Sequence, residues 1–157
     1  MSKTTPFVLT SRVNPSYPHD AVNASASVVT VSAIYDGAAI AAYKGSAVAT
    51  SDVAQLVSIP AGSLVLNVAY KVITAEGATC TFSIGDGADV DGYGAAVNGN
   101  TTTDSCSFNC TSSPAFGVGK YYSAADTIDV LLASGTAAAV VLALSVTYIN
   151  VAQAVTK

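Results

Sequence analysis

The sequence predicts an all-β fold, a jelly-roll or Greek-key β-sandwich with an extended N-terminal arm. Three observations lead there. Large apolar residues alternate with small or polar ones in several segments separated by turn residues, the period-two pattern of strands that bury one face. No segment carries the period of a long amphipathic helix. Prolines at positions 6, 15 and 18, set among polar neighbours, mark the first 24 residues as extended chain and not as a packed element. The expected division is residues 1–24 as the arm and 25–157 as one sandwich domain. A chain of 157 residues buries roughly 70% of its unfolded surface, enough for a single core.

Each element can be justified in turn. Residues 25–34 alternate well enough for a first strand, whereas 36–52 are small and Ala-rich and leave loop, short helix and strand all open. Three strands follow, ending at Ile84. In the middle one the alternation places Leu64, Leu66, Val68, Tyr70 and Val72 on one face and Asn67 and Lys71 on the other. The preceding Ile59-Pro60-Ala61-Gly62 is a turn, with Pro60 fixing φ and Gly62 permitting positive φ. Ala78, Cys80, Phe82 and Ile84 then alternate with Thr79, Thr81 and Ser83, and Gly85-Asp86-Gly87 closes the unit. Residues 85–114 form a polar connection longer than a hairpin needs, which assigns them a functional or packing task. Residues 120–122, 127–133 and 138–151 supply the last strands, the final two joined by a turn at Ser134-Gly135. The sum of roughly seven or eight strands fits a sandwich.

Residues 136–155 are apolar enough to be mistaken for a membrane span. Their alternation says otherwise. Leu142, Leu144, Val146 and Tyr148 share one face, against Ala143, Ser145, Thr147 and Ile149, as in a buried terminal strand. No membrane partner is expected. The N-terminus has no apolar core of a secretory signal, so the chain is expected to be made and kept in a cytoplasm until assembly.

Charge narrows the partners. Only 10% of residues are charged, the net charge is −4, and the single Arg and five Lys are scattered, so a basic grip on phosphates is excluded and nucleic acid is no expected partner. A surface so poor in charge suits one that lies against other subunits. Of three cysteines, Cys80 is expected in the core. Cys106 and Cys110 on one strand would stand roughly 13 Å apart, beyond disulfide reach, and only a turn or coil between them would allow a bond. Sequons at Asn23, Asn100 and Asn109 are chance matches in a Ser/Thr-rich chain without a secretory signal.

Chemistry has few carriers here. The one histidine, His19, lies in the arm, away from any nucleophile in the expected core, and a zinc site lacks its ligand set. Asp86, Asp89 and Asp91 offer carboxylates for a cation or a glycosidase pair. The EF-hand register fails, because Gly87 falls on its first position and no Glu closes the loop. Aspartates beside glycines are ordinary turn residues that cap their own backbone, and that reading is preferred. Tyr93, Tyr121, Tyr122 and Tyr148 suit core or subunit-interface packing. No catalytic, cofactor-binding or metal-ligating residue is assigned, no cofactor is expected, and the chain is read as a non-enzyme.

The order of parts carries one further expectation. Ile59-Pro60-Ala61-Gly62, then VLNVAYKV (65–72), TFSIGDG (81–87), DVDGY (89–93) and YYSAADTIDVLL (121–132), resembles the decoration (cement) proteins of tailed-phage capsids over roughly residues 28–151. That resemblance implies a jelly-roll-like sandwich on the outer capsid surface, commonly a homotrimer, that clamps adjacent major capsid subunits and stabilises the shell. It implies no catalytic residues. An arm that reaches a neighbour is compatible with residues 1–24. The segment from Cys106 to Cys110 and the Ala-rich residues 37–48 are peculiar to this chain. A head-fibre or receptor/glycan-binding virion protein is the alternative, although such a protein would be expected to show a stalk repeat, and none is visible.

Overall fold

Alternation of the kind described produces strands, and the way those strands nest sets the architecture. The structure, a computed structural model, describes residues 28–106, 116 and 119–151. The arm expected at 1–24, His19, Cys110, and the sequons at Asn23 and Asn109 lie outside the described residues. Along the described chain run β1 (Val28–Asp36), α1 (Gly37–Lys44), β2 (Val53–Ile59), β3 (Ser63–Thr74) and β4 (Cys80–Gly85). They are followed by β5 (Gly94–Asn98), β6 (Ser105–Cys106), β7 (Lys120–Tyr122), β8 (Asp126–Gly135) and β9 (Val141–Asn150).

Two antiparallel sheets result. The first has the order β1-β9-β3-β6, with β7 also paired to β3, and the second has the order β2-β8-β4-β5. Pairings are nested: β4 with β5, outside them β3 with β6 and β7, then β2 with β8, and outermost β1 with β9. A long hairpin rolled upon itself gives this order, so the all-β sandwich expected from the sequence is formed and its strand order is that of a jelly roll.

The core lies between the sheets. Leu142, Leu144, Val146 and Tyr148 of β9 all face inward, as the alternation requires, toward Phe82 and Ile84 of β4 and Ile128, Val130 and Leu132 of β8. Cys80 is buried among them. Tyr35 meets the edge of Phe82 with ring centroids 5.0 Å apart, a favoured aromatic geometry.

The sequence reading of β3 needs correction. Leu66 is 40% exposed, and the inward residues are Val65, Val68 and Val72. A β-bulge explains this: Val65 pairs with Tyr148 and Asn67 with Thr147, leaving Leu66 as an extra residue that shifts the inward set by one position. A second bulge lies at Ile73, which is 53% exposed, near the end of the strand.

Two undecided or unforeseen segments also resolve. Residues 37–44 are a helix whose first turn is capped by Asp36, its side chain accepting from Ala39 N at 3.1 Å, and which stops at Gly45 with φ 74°. The long connection is not wholly irregular, since it contains β5 and β6. The expected turn at Ser134-Gly135 lies at the end of β8, where the next residues are gathered by Glu76. Its carboxylate accepts from the backbone N–H groups of Ala138, Ala139 and Val140 at 3.0, 2.7 and 2.9 Å and from Thr136 Oγ1 at 3.0 Å. Partial burial pushes that carboxyl up, but the converging donors outweigh it and hold the group below its ordinary value.

Candidate functional site

Two regions merit description, one for its chemistry and one for its lack of charge. The first is the acidic loop after β4. Asp86 is 1% exposed, and its turn role is as expected: Oδ1 accepts from Ala88 N at 2.9 Å and Asp89 N at 3.0 Å. Its second oxygen does something the sequence did not reveal. Oδ2 accepts from Tyr122 Oη at 2.6 Å and forms an ion pair with Lys120, both from β7. Tyr122 Oη in turn lies 3.0 Å from Tyr93 Oη. Burial pushes the Asp86 carboxyl up, yet donors from Lys120, Tyr122, Ala88 and Asp89 hold it below its usual value. The same environment raises both tyrosines, first by desolvation.

Phe116 completes this cluster. Its ring lies edge-on to Tyr93 at 5.1 Å, and Lys120 Nζ sits 4.0 Å from its centroid. The loop packs closely enough to require glycine: a Cβ on Gly85 would meet Asp89 O at 2.0 Å, and one on Gly92 would enter the Phe116 ring. All four polar partners of Asp86 are thus structural. The carboxylates of Asp89 and Asp91 are not drawn into this hub. Asp89 Oδ1 accepts from Asp91 N at 3.4 Å, and the Asp91 carboxyl is raised, mainly by its hydrogen bond with Asp89. Among the described residues no group of three His, Cys, Asp or Glu is placed to hold a metal ion. The arrangement ties a loop to a distant strand.

The tyrosines divide between core and surface. Tyr93, Tyr122 and Tyr148 are buried, whereas Tyr121 is 54% exposed. It lies on the second region, the outer face of the five-stranded sheet.

That face is built from transverse rows. Pairing aligns Tyr121, Leu64, Ile149 and Val28 across β7, β3, β9 and β1. The next row is Asn67, Thr147 and Thr30, with the two threonine hydroxyls 3.0 Å apart. Then come Ala69, Ser145 and Ser32. Lys71, Ala143 and Ile34 follow, Lys71 turning its ammonium to the carbonyl of Thr102. Asp36, at the end of β1, is occupied in capping α1. No helix among the described residues is long and apolar enough to cross a membrane.

Comparison with known proteins places the fold. No protein-family model matches the sequence, and no curated protein matches it. Solved structures do. A chain in the acid-stable capsid of Helicobacter pylori bacteriophage KHP30 matches with a TM-score of 0.56 and 14% identity, over 80% of this chain and 90% of that one. In the capsid asymmetric unit of cyanophage Pam1 the values are 0.53 and 20%, over 80% and 84%. In the capsid of Ralstonia phage GP4 they are 0.58 and 20%, over 82% and 88%. This chain therefore shares its fold, over 80–82% of its length, with chains found in phage capsids.

Proposed function

We propose that this chain is a structural virion protein, a decoration protein that binds the outer surface of a tailed-phage capsid and clamps adjacent major capsid subunits. The observation that carries this reading is the match to chains from three phage capsids, each covering at least 84% of the capsid chain. The resemblance of the ordered segments from Ile59 to Leu132 to cement proteins points the same way.

The mechanism needs no chemistry. A protein that binds the assembled lattice and not its separate subunits lowers the free energy of the assembled state by its own binding free energy, and many copies add. Copies associate as homotrimers in this reading. The sandwich at 25–157 is the docking body, while residues 1–24, biased toward extended conformations by Pro15 and Pro18, reach a neighbouring subunit. The Asp86 hub keeps the β4–β5 loop and β7 in a fixed shape, which a clamp needs for a reproducible contact.

Cosedimentation tests the reading. Purified protein mixed with capsids lacking it should pellet with the shells and saturate at a fixed copy number. Protein that stays in the supernatant at every concentration would remove the decoration role and leave a host-surface or glycan-binding role as the preferred one.

A further inference from the structure

We propose that the free edge of β1 receives residues 7–13 of a neighbouring copy as an added strand. The assignment deepens the reading above: it rests on the self-association stated there and names the edge and the segment that produce it. A sheet edge exposes unpaired N–H and C=O groups, and folded chains guard such edges with short strands, bulges, prolines or lysines. Three of the four edges here are guarded. β6 and β7 hold two and three residues, β2 is interrupted by a bulge at Leu56, and β5 by one that places Ala96 at φ 53°. β1 has no such device. Its nine residues, VVTVSAIYD, pair in unbroken register with β9 and contain no proline, glycine or cation. Among the described residues it has no other strand partner. The core is also left open beside it. The inward-facing Val29, Val31 and Ala33 pack on the core yet stay half-buried, as do Ala54 and Leu56 of the adjacent β2. A further strand would satisfy the backbone and cover this seam, the mode of recognition in which an extended segment adds to a sheet edge.

The sequence supplies the strand. Residues 7–13, FVLTSRV, lie outside the described residues and form a run of β-favouring residues free of proline. The period of two places Phe7, Leu9 and Val13 on one face, an apolar set suited to the open seam. Charge favours the match. The described residues hold nine carboxylates against three lysines, whereas residues 1–13 hold Lys3 and Arg12 and no carboxylate. Reach allows it, because residues 14–27, which join the segment to β1, span up to about 46–50 Å when extended. A neighbour is selected over the same chain by turn chemistry. A tight return along its own edge uses glycine in a type I′ or II′ turn, and residues 1–27 contain no glycine. Pro15 and Pro18 favour extended chain that leads away from the body instead. Each copy then gives one segment and receives another, a head-to-tail exchange that closes around a three-fold axis, as a trimer requires.

Sedimentation velocity of the full chain, with hydrogen exchange read by mass spectrometry across the same dilution series, decides the matter. The wild type should form trimers, and peptides covering residues 7–13 and β1 should exchange at least about tenfold more slowly in the trimer than in the dissociated chain. Val8→Pro and Leu9→Pro each remove one backbone donor. Because successive donors face opposite ways, at least one of the two should weaken association by about tenfold. Both substitutions lie outside the sandwich strands, so melting should stay cooperative. An oligomer that survives both, a wild type that stays monomeric, or β1 exchange indifferent to association overturns the proposal. Slow exchange at β1 in a monomer shows the arm on its own chain, and slowing only when bare capsids are added shows a segment of the shell there; each overturns it as well. If a proline variant fails to fold, the exchange of the wild type across the dilution series decides alone. Cosedimentation with bare capsids keeps the two readings apart. Trimers with protected β1 that ignore capsids remove the decoration role and leave the edge assignment intact, while capsid binding with β1 unprotected does the reverse.

Discussion

Replacing Asp86 by Asn removes one charge and reverses one hydrogen-bonding atom at the centre of the loop hub. Either orientation of the amide leaves an NH₂ group facing donors. With its oxygen toward Ala88 N and Asp89 N, the amide turns hydrogens on Tyr122 Oη and on the Lys120 ammonium, which now lacks its counter-ion. Hydrogen bonds to a charged group contribute about 1.5–3 kcal/mol each. Lys120 keeps access to water, its side chain being 22% exposed, so its share lies at the low end. The expected loss is about 2–4 kcal/mol, or a Tm lower by roughly 10 °C for a chain of this size. Urea unfolding followed by circular dichroism measures it.

The pH dependence gives a second reading of the same variant. The Asp86 carboxyl lies below its ordinary value in the folded protein, so its contribution is fully present above the unfolded pKa of about 3.9 and is lost as pH falls through the lower folded value. Asn cannot titrate. The gap between wild type and variant should hold from pH 7 to 5 and close below about pH 4. A gap under about 0.5 kcal/mol at pH 7, or one that persists unchanged into strong acid, refutes the reasoning.

Three further outcomes are expected. Gly85→Ala should destabilise the sandwich by at least about 2–3 kcal/mol, because its Cβ would lie 2.0 Å from Asp89 O and 2.3 Å from Val90 C; a melting curve equal to wild type contradicts this. Burial, helped by the nearby Glu76 charge, pushes the Cys80 thiol up to about 11, so alkylation at pH 8 mapped by mass spectrometry should leave Cys80 unlabelled in the native protein and labelled in urea. Deleting residues 1–24 should preserve cooperative melting while weakening capsid attachment, and loss of cooperativity would show that the arm belongs to the core.

Much of the sandwich was legible because period-two alternation is a direct record of one-sided burial, as in Leu142 to Tyr148. The bulge at Leu66 was not, since a backbone irregularity leaves no change in residue type, and strict alternation carried past it puts Leu66 on the wrong face. Strand β5 escaped because Gly94-Ala95-Ala96-Val97-Asn98 has one large apolar residue and no alternation to count. Helix α1 did leave a trace in Asp36 and Gly45, its two caps, but eight Ala-rich residues between them carry too little pattern to decide. For the hub, the local half was readable, because an aspartate two and three residues from its N–H partners is turn chemistry. The other half joins Asp86 to Lys120 and Tyr122 across more than thirty residues, and only the fold, which sets the loop after β4 of one sheet against β7 of the other, brings them together.

The claim that this protein stabilises a shell by adding contacts is tested most directly by the temperature at which filled capsids release their DNA, measured with and without the protein bound. Decorated capsids should release at a higher temperature, and restoring the purified chain to bare capsids should restore the difference. Equal release temperatures, with the protein shown to be bound, would contradict the account.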